Sequence, residues 1–173
     1  MHLREELLKE HSVKQAKKIA AWAGISAENF HVLMECFMDS EYRIAQRAAW
    51  SVSKIAETKP ALLGPYIEQM VNRLEATDVH PAVIRNTVRI FEKIRVPEPL
   101  HGKLMTACFS FLESVNTPVA IKAFSLTILF HLSEQYPDIS QELKLLIEEK
   151  WDTETAAFKS RGKKILAALE KRK

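Results

Sequence analysis

One pattern in this 173-residue sequence returns at intervals of 37 to 39 residues. Asp78 follows Asp39 by 39 residues, and the segment after each aspartate carries its apolar residues in the same order. Further along, Lys159 follows Lys122 by 37 residues, again with matching apolar neighbours. A repeat of this length is typical of arrays of helix pairs, because one pair cannot bury its apolar face alone but stacked pairs can. The spacing therefore predicts an all-α fold with one continuous core.

The segment from residue 42 to residue 57 shows what one helix of the repeat looks like. At 100° per residue, its small apolar residues share one broad arc: Ile44, Ala45, Ala48, Ala49, Val52, Ile55 and Ala56. The opposite side is a stripe of three cations and one large aromatic residue: Arg43, Arg47, Trp50 and Lys54. The apolar arc predicts close packing against other helices. The stripe is compatible either with a solvated face, where basic side chains cover Trp50, or with a binding surface.

We predict a single domain over residues 1–173. Two short N-terminal helices within residues 1–25 close one end, and four helix pairs occupy residues 26–59, 60–97, 98–137 and 138–173. Ser12 and Ser26 are predicted N-caps, because a serine hydroxyl accepts a hydrogen bond from a free amide of the first turn. Within the four pairs we predict helices at 26–38, 42–57, 60–76, 80–95, 99–113, 119–134, 138–151 and 153–170.

These pairs resemble HEAT repeats over residues 26–169. The resemblance depends on the small-residue run RAAW of the first pair, on a basic residue at Arg85 and Lys122, and on an aspartate between paired helices: Asp39, Asp78 and Asp152. The chain departs from the pattern at Gln46 and Asn116, which leaves the hydrogen bonding between repeats open. The resemblance implies a right-handed α-α superhelix, a solenoid whose second helices line the concave side.

On that arrangement, the polar stripes of the second helices form one row. Basic residues outnumber acidic residues on the second helices taken together, whereas the reverse holds on the first helices. A nearly neutral chain of net charge +3 would thus have one acidic and one basic layer. The predicted binding residues on the concave face are Arg43, Arg47, Trp50, Lys54, Arg85, Asn86, Arg89, Lys93, Lys122, Lys159 and Lys163.

Three interpretations of this row stay open. The acidic and basic helices can simply pair with each other, at modest benefit to stability. Alternatively, Trp50 among cations is a composition typical of interaction hot spots, which predicts an acidic protein or peptide partner. The third interpretation is nucleic-acid binding, with phosphate contacts by arginines and Lys163 and with Trp50 stacked on a base.

The helix at 119–132 is apolar nearly all round, which is typical of a helix that is covered on every side. The alternative is an exposed patch around Leu126 and Phe130 that would support a homodimer. We favour the covered helix, and therefore a monomer.

The sequence contains no spacing typical of a metal site or of a catalytic motif. Its six histidines are scattered, and Cys36 and Cys108 stand far apart. Alkylpurine DNA glycosylases are also built from HEAT-like repeats, and the chain resembles them in helix pairing and in its basic inner helices. However, those inner helices lack an aspartate that could stabilise a cationic sugar. We therefore predict a non-enzymatic scaffold without metal or cofactor.

The sequence also bears on the cellular location. The N-terminal stretch is highly charged and has no apolar core of signal-peptide length. No apolar run is long enough to cross a bilayer, and the two cysteines lie in apolar helical patterns typical of buried thiols in a reducing compartment. These features predict a cytoplasmic protein that does not bind membranes.

Overall fold

The structure is a computed structural model that describes residues 1–172, and it contains helices but no strand in that range. The prediction of an all-α fold is confirmed. The α-helices are α1 (Leu3–Lys9), α2 (Val13–Ala23), α3 (Ala27–Phe37), α4 (Tyr42–Thr58), α5 (Ile67–Arg73), α6 (Pro81–Phe91), α7 (His101–Glu113), α8 (Val119–Leu132), α9 (Asp138–Glu149) and α10 (Ala156–Glu170). Two 3-10 helices, Pro60–Tyr66 and Glu98–Leu100, precede α5 and α7.

The chain forms two compact units, Met1–Arg95 and Val96–Lys173. In the first unit, α4 is the central helix and contacts α1, α2, α3, α6 and the Pro60–Tyr66 helix. In the second unit α8 is central and contacts α7, α9 and α10. α4 and α8, each the second helix of its pair, are therefore the best-covered helices of their units. A single domain over the whole chain stays a prediction.

The two N-terminal helices are themselves a helix pair. α1 packs against α3 and α4, and α2 packs against α3 and α4 as well. Both predicted serine caps are present: the Ser12 hydroxyl accepts from the amide of Gln15 at 3.1 Å, and the Ser26 hydroxyl accepts from the amide of Asn29 at 3.2 Å. Each bond satisfies an amide that the helix itself leaves without a partner.

The predicted helix at 60–76 is wrong in its first half. Residues 60–66 form a 3-10 helix, and the α-helix begins only at Ile67 and ends at Arg73. Pro65 explains the difference, because proline has no amide hydrogen to donate and disfavours the α conformation at the residue before it, Gly64.

The covered position predicted for the helix at 119–132 is confirmed at the position of the alternative patch, because Leu126 has no exposed surface. The buried residues of α8 occupy a broad arc that includes Leu126, whereas His131 on the other side of the helix is exposed. Phe130, at the predicted patch, lies under the guanidinium group of Arg172 at 4.2 Å from the ring centre. This face of α8 is therefore covered within its own unit.

Cations of one repeat cap helices of the repeat before it. Each donates to a carbonyl oxygen at or just beyond the C-terminus of an earlier helix, where the helix supplies no partner. These bonds are Lys59 Nζ to Gly24 O at 2.6 Å, Arg73 Nη1 to Phe37 O at 3.0 Å and Lys150 Nζ to Glu113 O at 3.1 Å. Cations at these positions also complement the negative end of the helix dipole. Part of the basic content of the chain is therefore structural.

A pH-dependent contact joins α1 to α2. Hydrogen bonds from Lys18 (2.8 Å), Lys9 and Gln15 (3.1 Å) lower the pKa of the Glu6 carboxyl to about 2. This pKa lies below the ordinary value of 4.5. The contact therefore stabilises the fold fully above pH 4.5, and its contribution is lost as the pH falls from 4.5 towards 2.

We expect the Glu6→Gln variant to lose less stability than the wild type over this pH range. Urea unfolding at a series of pH values measures the difference, and parallel curves for the two proteins would contradict the prediction.

Candidate basic binding face

The structure places the predicted stripe on the least buried side of α4. Arg43 is exposed, whereas Arg47, Trp50 and Lys54 are partly exposed. The whole predicted apolar arc, from Ile44 to Ala56, is buried. The helical periodicity of the sequence therefore predicted correctly which side of α4 is buried and which side is less buried.

Two residues of the stripe are engaged with the N-terminal helix pair. Arg47 Nη1 donates to the carbonyl oxygen of Leu7 in the last turn of α1, at 2.7 Å. The Trp50 ring meets the His11 ring edge-on, with the ring centres 5.2 Å apart and an interplanar angle of 79°. Arg47 and Trp50 therefore hold α1 and α2 against α4, and each keeps only part of its surface exposed.

The C-terminal end of the stripe carries a cluster that joins α4 to α6. Glu57 accepts a hydrogen bond from Lys54 at 3.1 Å, and its carboxylate lies 3.7 Å from Arg89 and 3.6 Å from Lys93. Arg89 and Lys93 keep 36% and 49% of their side-chain surface exposed. Three cations surround one carboxylate, so the cluster remains positively charged.

The charge state of Glu57 follows from this cluster. Partial burial by itself would raise the pKa of the Glu57 carboxyl, but the hydrogen bond from Lys54 and the charges of Lys93 and Arg89 outweigh it and lower the pKa. Glu57 is therefore ionised at neutral pH. The sequence analysis missed this residue as part of the site. The spacing of Lys54 and Glu57, three residues apart on one helix, could have signalled their pairing, but not the approach of α6.

On α6, one predicted residue is exposed and another is not. Arg85 is exposed, in the second turn of the helix. Asn86 is only 5% exposed, and its side-chain amide donates to the carbonyl oxygen of Ala82 at 2.9 Å. The prediction that Asn86 lies on an accessible face is therefore wrong, because its side chain points into the packed side of α6 and bonds to its own helix.

In the second unit, Lys122 is also not accessible. Its ammonium group forms an ion pair with Glu154, and the two side chains are only 6% and 10% exposed. The prediction that Lys122 lies on a binding face is wrong, because a buried carboxylate already holds its charge. Lys159 is partly exposed and Lys163 is exposed on α10. A continuous row across all four pairs stays a prediction.

We define the basic face as the exposed or partly exposed cations of α4 and of residues 81–93, apart from Arg47, which is bonded to α1: Arg43, Lys54, Arg85, Arg89 and Lys93. The sequence analysis overlooked two further exposed lysines, Lys14 and Lys17, on α2 beside α4. Their spacing of three residues places them on one side of a helix, which was a readable signal. They were missed because α2 was interpreted as a cap rather than as one of the second helices.

The described residues offer little that resembles a catalytic site. Among residues 1–172, no group of three or more histidine, cysteine or acidic side chains could hold a metal ion. Burial raises the pKa of both thiols, that of Cys108 to about 12, so neither cysteine is a thiolate at neutral pH. Within the same part of the chain, no helix has the length and apolarity that crossing a membrane requires.

Layers of paired helices, with capping bonds from one repeat to the next, define the class of α-helical repeat proteins. The family model of the HEAT repeat domain matches residues 3–169, and the chain belongs to this family. The match includes α1 and α2, in agreement with their packing as a helix pair. Neither the curated proteins nor the solved structures contain a match to the chain. Membership of this family suggests, in general terms, a scaffold for protein interactions.

Proposed function

We propose that the protein is a non-enzymatic scaffold that binds an acidic segment of a partner protein through the basic face. The observation that carries the proposal is the packing of α4 against α6, which present five exposed or partly exposed cations, three of them (Lys54, Arg89 and Lys93) around the carboxylate of Glu57. We expect this scaffold to act as a monomer in the cytoplasm.

The chemistry of the basic face fits carboxylates. Arg43, Arg85 and Arg89 each carry a planar guanidinium group that can bond to a carboxylate through two parallel hydrogen bonds. Lys54 and Lys93 add flexible point charges at the C-terminal end of the face. Contacts between exposed charges are screened by salt, so we expect binding to weaken steeply as the ionic strength rises.

The proposal is tested by reversing two charges on the basic face. We expect the Arg43→Glu, Arg85→Glu double variant to bind a fluorescein-labelled polyglutamate peptide roughly tenfold more weakly or worse than the wild type, because two attractive contacts become repulsive. Fluorescence anisotropy at low and at moderate salt measures the affinity.

The matched control carries the same change in net charge on first helices. Lys103→Glu with Lys144→Glu alters exposed or partly exposed positions on α7 and α9. This control variant should bind the peptide nearly as tightly as the wild type. Equal losses in the two double variants would mean that net charge alone drives binding, and the proposal would fall.

Nucleic acid is the alternative ligand, and the same titration with single-stranded DNA decides between the two. The contacts of Trp50 with His11 and of Arg47 with Leu7 favour the acidic protein segment, since they leave less of each side chain to stack on a base or bond to a phosphate. Binding of DNA at low salt without binding of polyglutamate would replace our proposal.

Glu57 competes with an incoming carboxylate for the same cations. We therefore expect Glu57→Gln to tighten polyglutamate binding by roughly threefold to tenfold, because Lys54, Arg89 and Lys93 lose their internal partner. Anisotropy measures the gain, and Glu142→Gln on the exposed side of α9 is the control for the change in net charge. Weaker binding by the Glu57 variant would show that this carboxylate organises the cations rather than competing for them.

A further inference from the structure

A groove of about 740 Å³ opens at the C-terminal ends of α4 and α6. Its walls are the last turn of α4, the Pro60–Tyr66 helix and the residues that follow α6. Small and apolar residues form most of the lining: Ala56, Pro60, Ala61, Gly64, Ile67 and Ile94. The remaining lining residues are charged: Glu57, Lys93 and Arg95. A groove of this volume is large enough to enclose a side chain of a bound segment.

The groove is continuous with the basic face. Glu57 and Lys93 line the groove and also belong to the cluster with Lys54 and Arg89. Arg95, which is exposed, adds another cation to its lining. A segment that crosses the basic face along α6 would therefore meet, where that helix ends, a largely apolar groove whose lining includes Lys93 and Arg95.

We propose that this groove is an anchor site for an apolar side chain of the acidic partner segment. The inference rests on the proposed function and narrows the partner: the segment carries at least one apolar residue, such as leucine, flanked by acidic residues. The flanking carboxylates lie against Lys93, Arg89 and Arg95, and the apolar side chain enters the recess between Ala61 and Ile94. The cations of the basic face attract the acidic segment, and burial of its apolar side chain in the groove fixes the position of the segment along the face.

Gly64 offers a way to fill the groove without disturbing the core. It lines the groove, it is exposed, and a Cβ atom added there would meet nothing within 4 Å. Its φ lies outside the left-handed region, so a larger side chain introduces no backbone strain. Gly102 on α7 has the same two properties, exposure and no neighbour within 4 Å of an added Cβ, but lies in the other unit, away from the groove lining. It provides a matched control.

The test compares two labelled peptides, one of glutamate alone and one with a leucine at its centre. We expect the leucine peptide to bind the wild type about tenfold more tightly, from burial of the leucine side chain. Gly64→Trp should remove this gain while leaving the affinity for the glutamate peptide unchanged, and Gly102→Trp should preserve both affinities. Circular dichroism establishes that each variant is folded.

The outcomes separate the anchor site from the basic face. If both peptides bind the wild type equally, or if Gly64→Trp keeps the gain, the anchor site is refuted while the proposed function stands. If neither peptide binds, both are refuted. Should Gly64→Trp fail to fold, amide chemical shifts of the wild type decide: the leucine peptide must shift the amides of Ala61, Gly64 and Ile94 more than the glutamate peptide does, and equal shifts would refute the anchor site.

Discussion

Replacement of Glu154 with alanine is expected to lower the free energy of unfolding by about 3–5 kcal/mol. Glu154 lies in the turn before α10, and its carboxylate is the partner of the Lys122 ammonium on α8. Both side chains are almost fully enclosed, and α8 is the central helix of its unit. Without Glu154, a positive charge would remain buried with no ionic partner, and its lost hydration would oppose folding. Urea unfolding followed by circular dichroism measures the change.

Two further variants show whether the unpaired charge is the cause. The double variant Lys122→Met, Glu154→Leu removes both charges and should regain most of the loss, to within about 1–2 kcal/mol of the wild type. Asp152→Ala changes an exposed carboxylate two residues away and should alter stability by less than about 0.5 kcal/mol. A loss below about 1 kcal/mol in Glu154→Ala would mean that water reaches the Lys122 ammonium, contrary to the packing described here.

Lys122 also shows where the sequence stops being informative. Lys122 and Lys159 occupy equivalent positions in successive repeats. Yet Lys122 is buried in an ion pair, whereas Lys159 is partly exposed. The difference arises from Glu154, 32 residues after Lys122, whose approach depends on how α8 packs against the turn before α10. Periodicity predicts which side of a helix a residue occupies, but it does not predict which distant side chain meets it there.

The fold itself was largely predictable because its determinants are local. The serine caps and the apolar arc of α4 depend on residues close in sequence, and both are present in the structure. The 3-10 helix at Pro60–Tyr66 was also within reach, since Pro65 stands inside the predicted helix. The cluster around Glu57 was not, because it requires the lateral placement of α4 against α6.

Trp50→Ala is expected to lower the free energy of unfolding by about 2–3 kcal/mol, which is less than for a fully buried tryptophan because the ring is partly exposed. The ring contacts His11 edge-on and lies beside Gln15, Ala16 and Ile19 at the junction of α2 with α4. Its loss would leave a cavity there and loosen the N-terminal helix pair. Chemical denaturation gives the total loss, and amide hydrogen exchange shows whether the amides of α1 and α2 lose protection first.

Arg43→Ala is the matched control, because Arg43 occupies the same stripe of α4 but is exposed and bonds to the neighbouring Tyr42 of its own helix. It should leave stability within about 0.5 kcal/mol of the wild type and yet weaken polyglutamate binding. Trp50→Ala should do the reverse and bind the peptide normally wherever the protein stays folded. If instead Trp50→Ala abolished binding at unchanged stability, the tryptophan would be a ligand contact, and the stripe would act as one surface. Opposite effects of the two variants would show that the stripe has two roles: Arg47 and Trp50 hold the N-terminal helix pair, and the remaining cations bind the ligand.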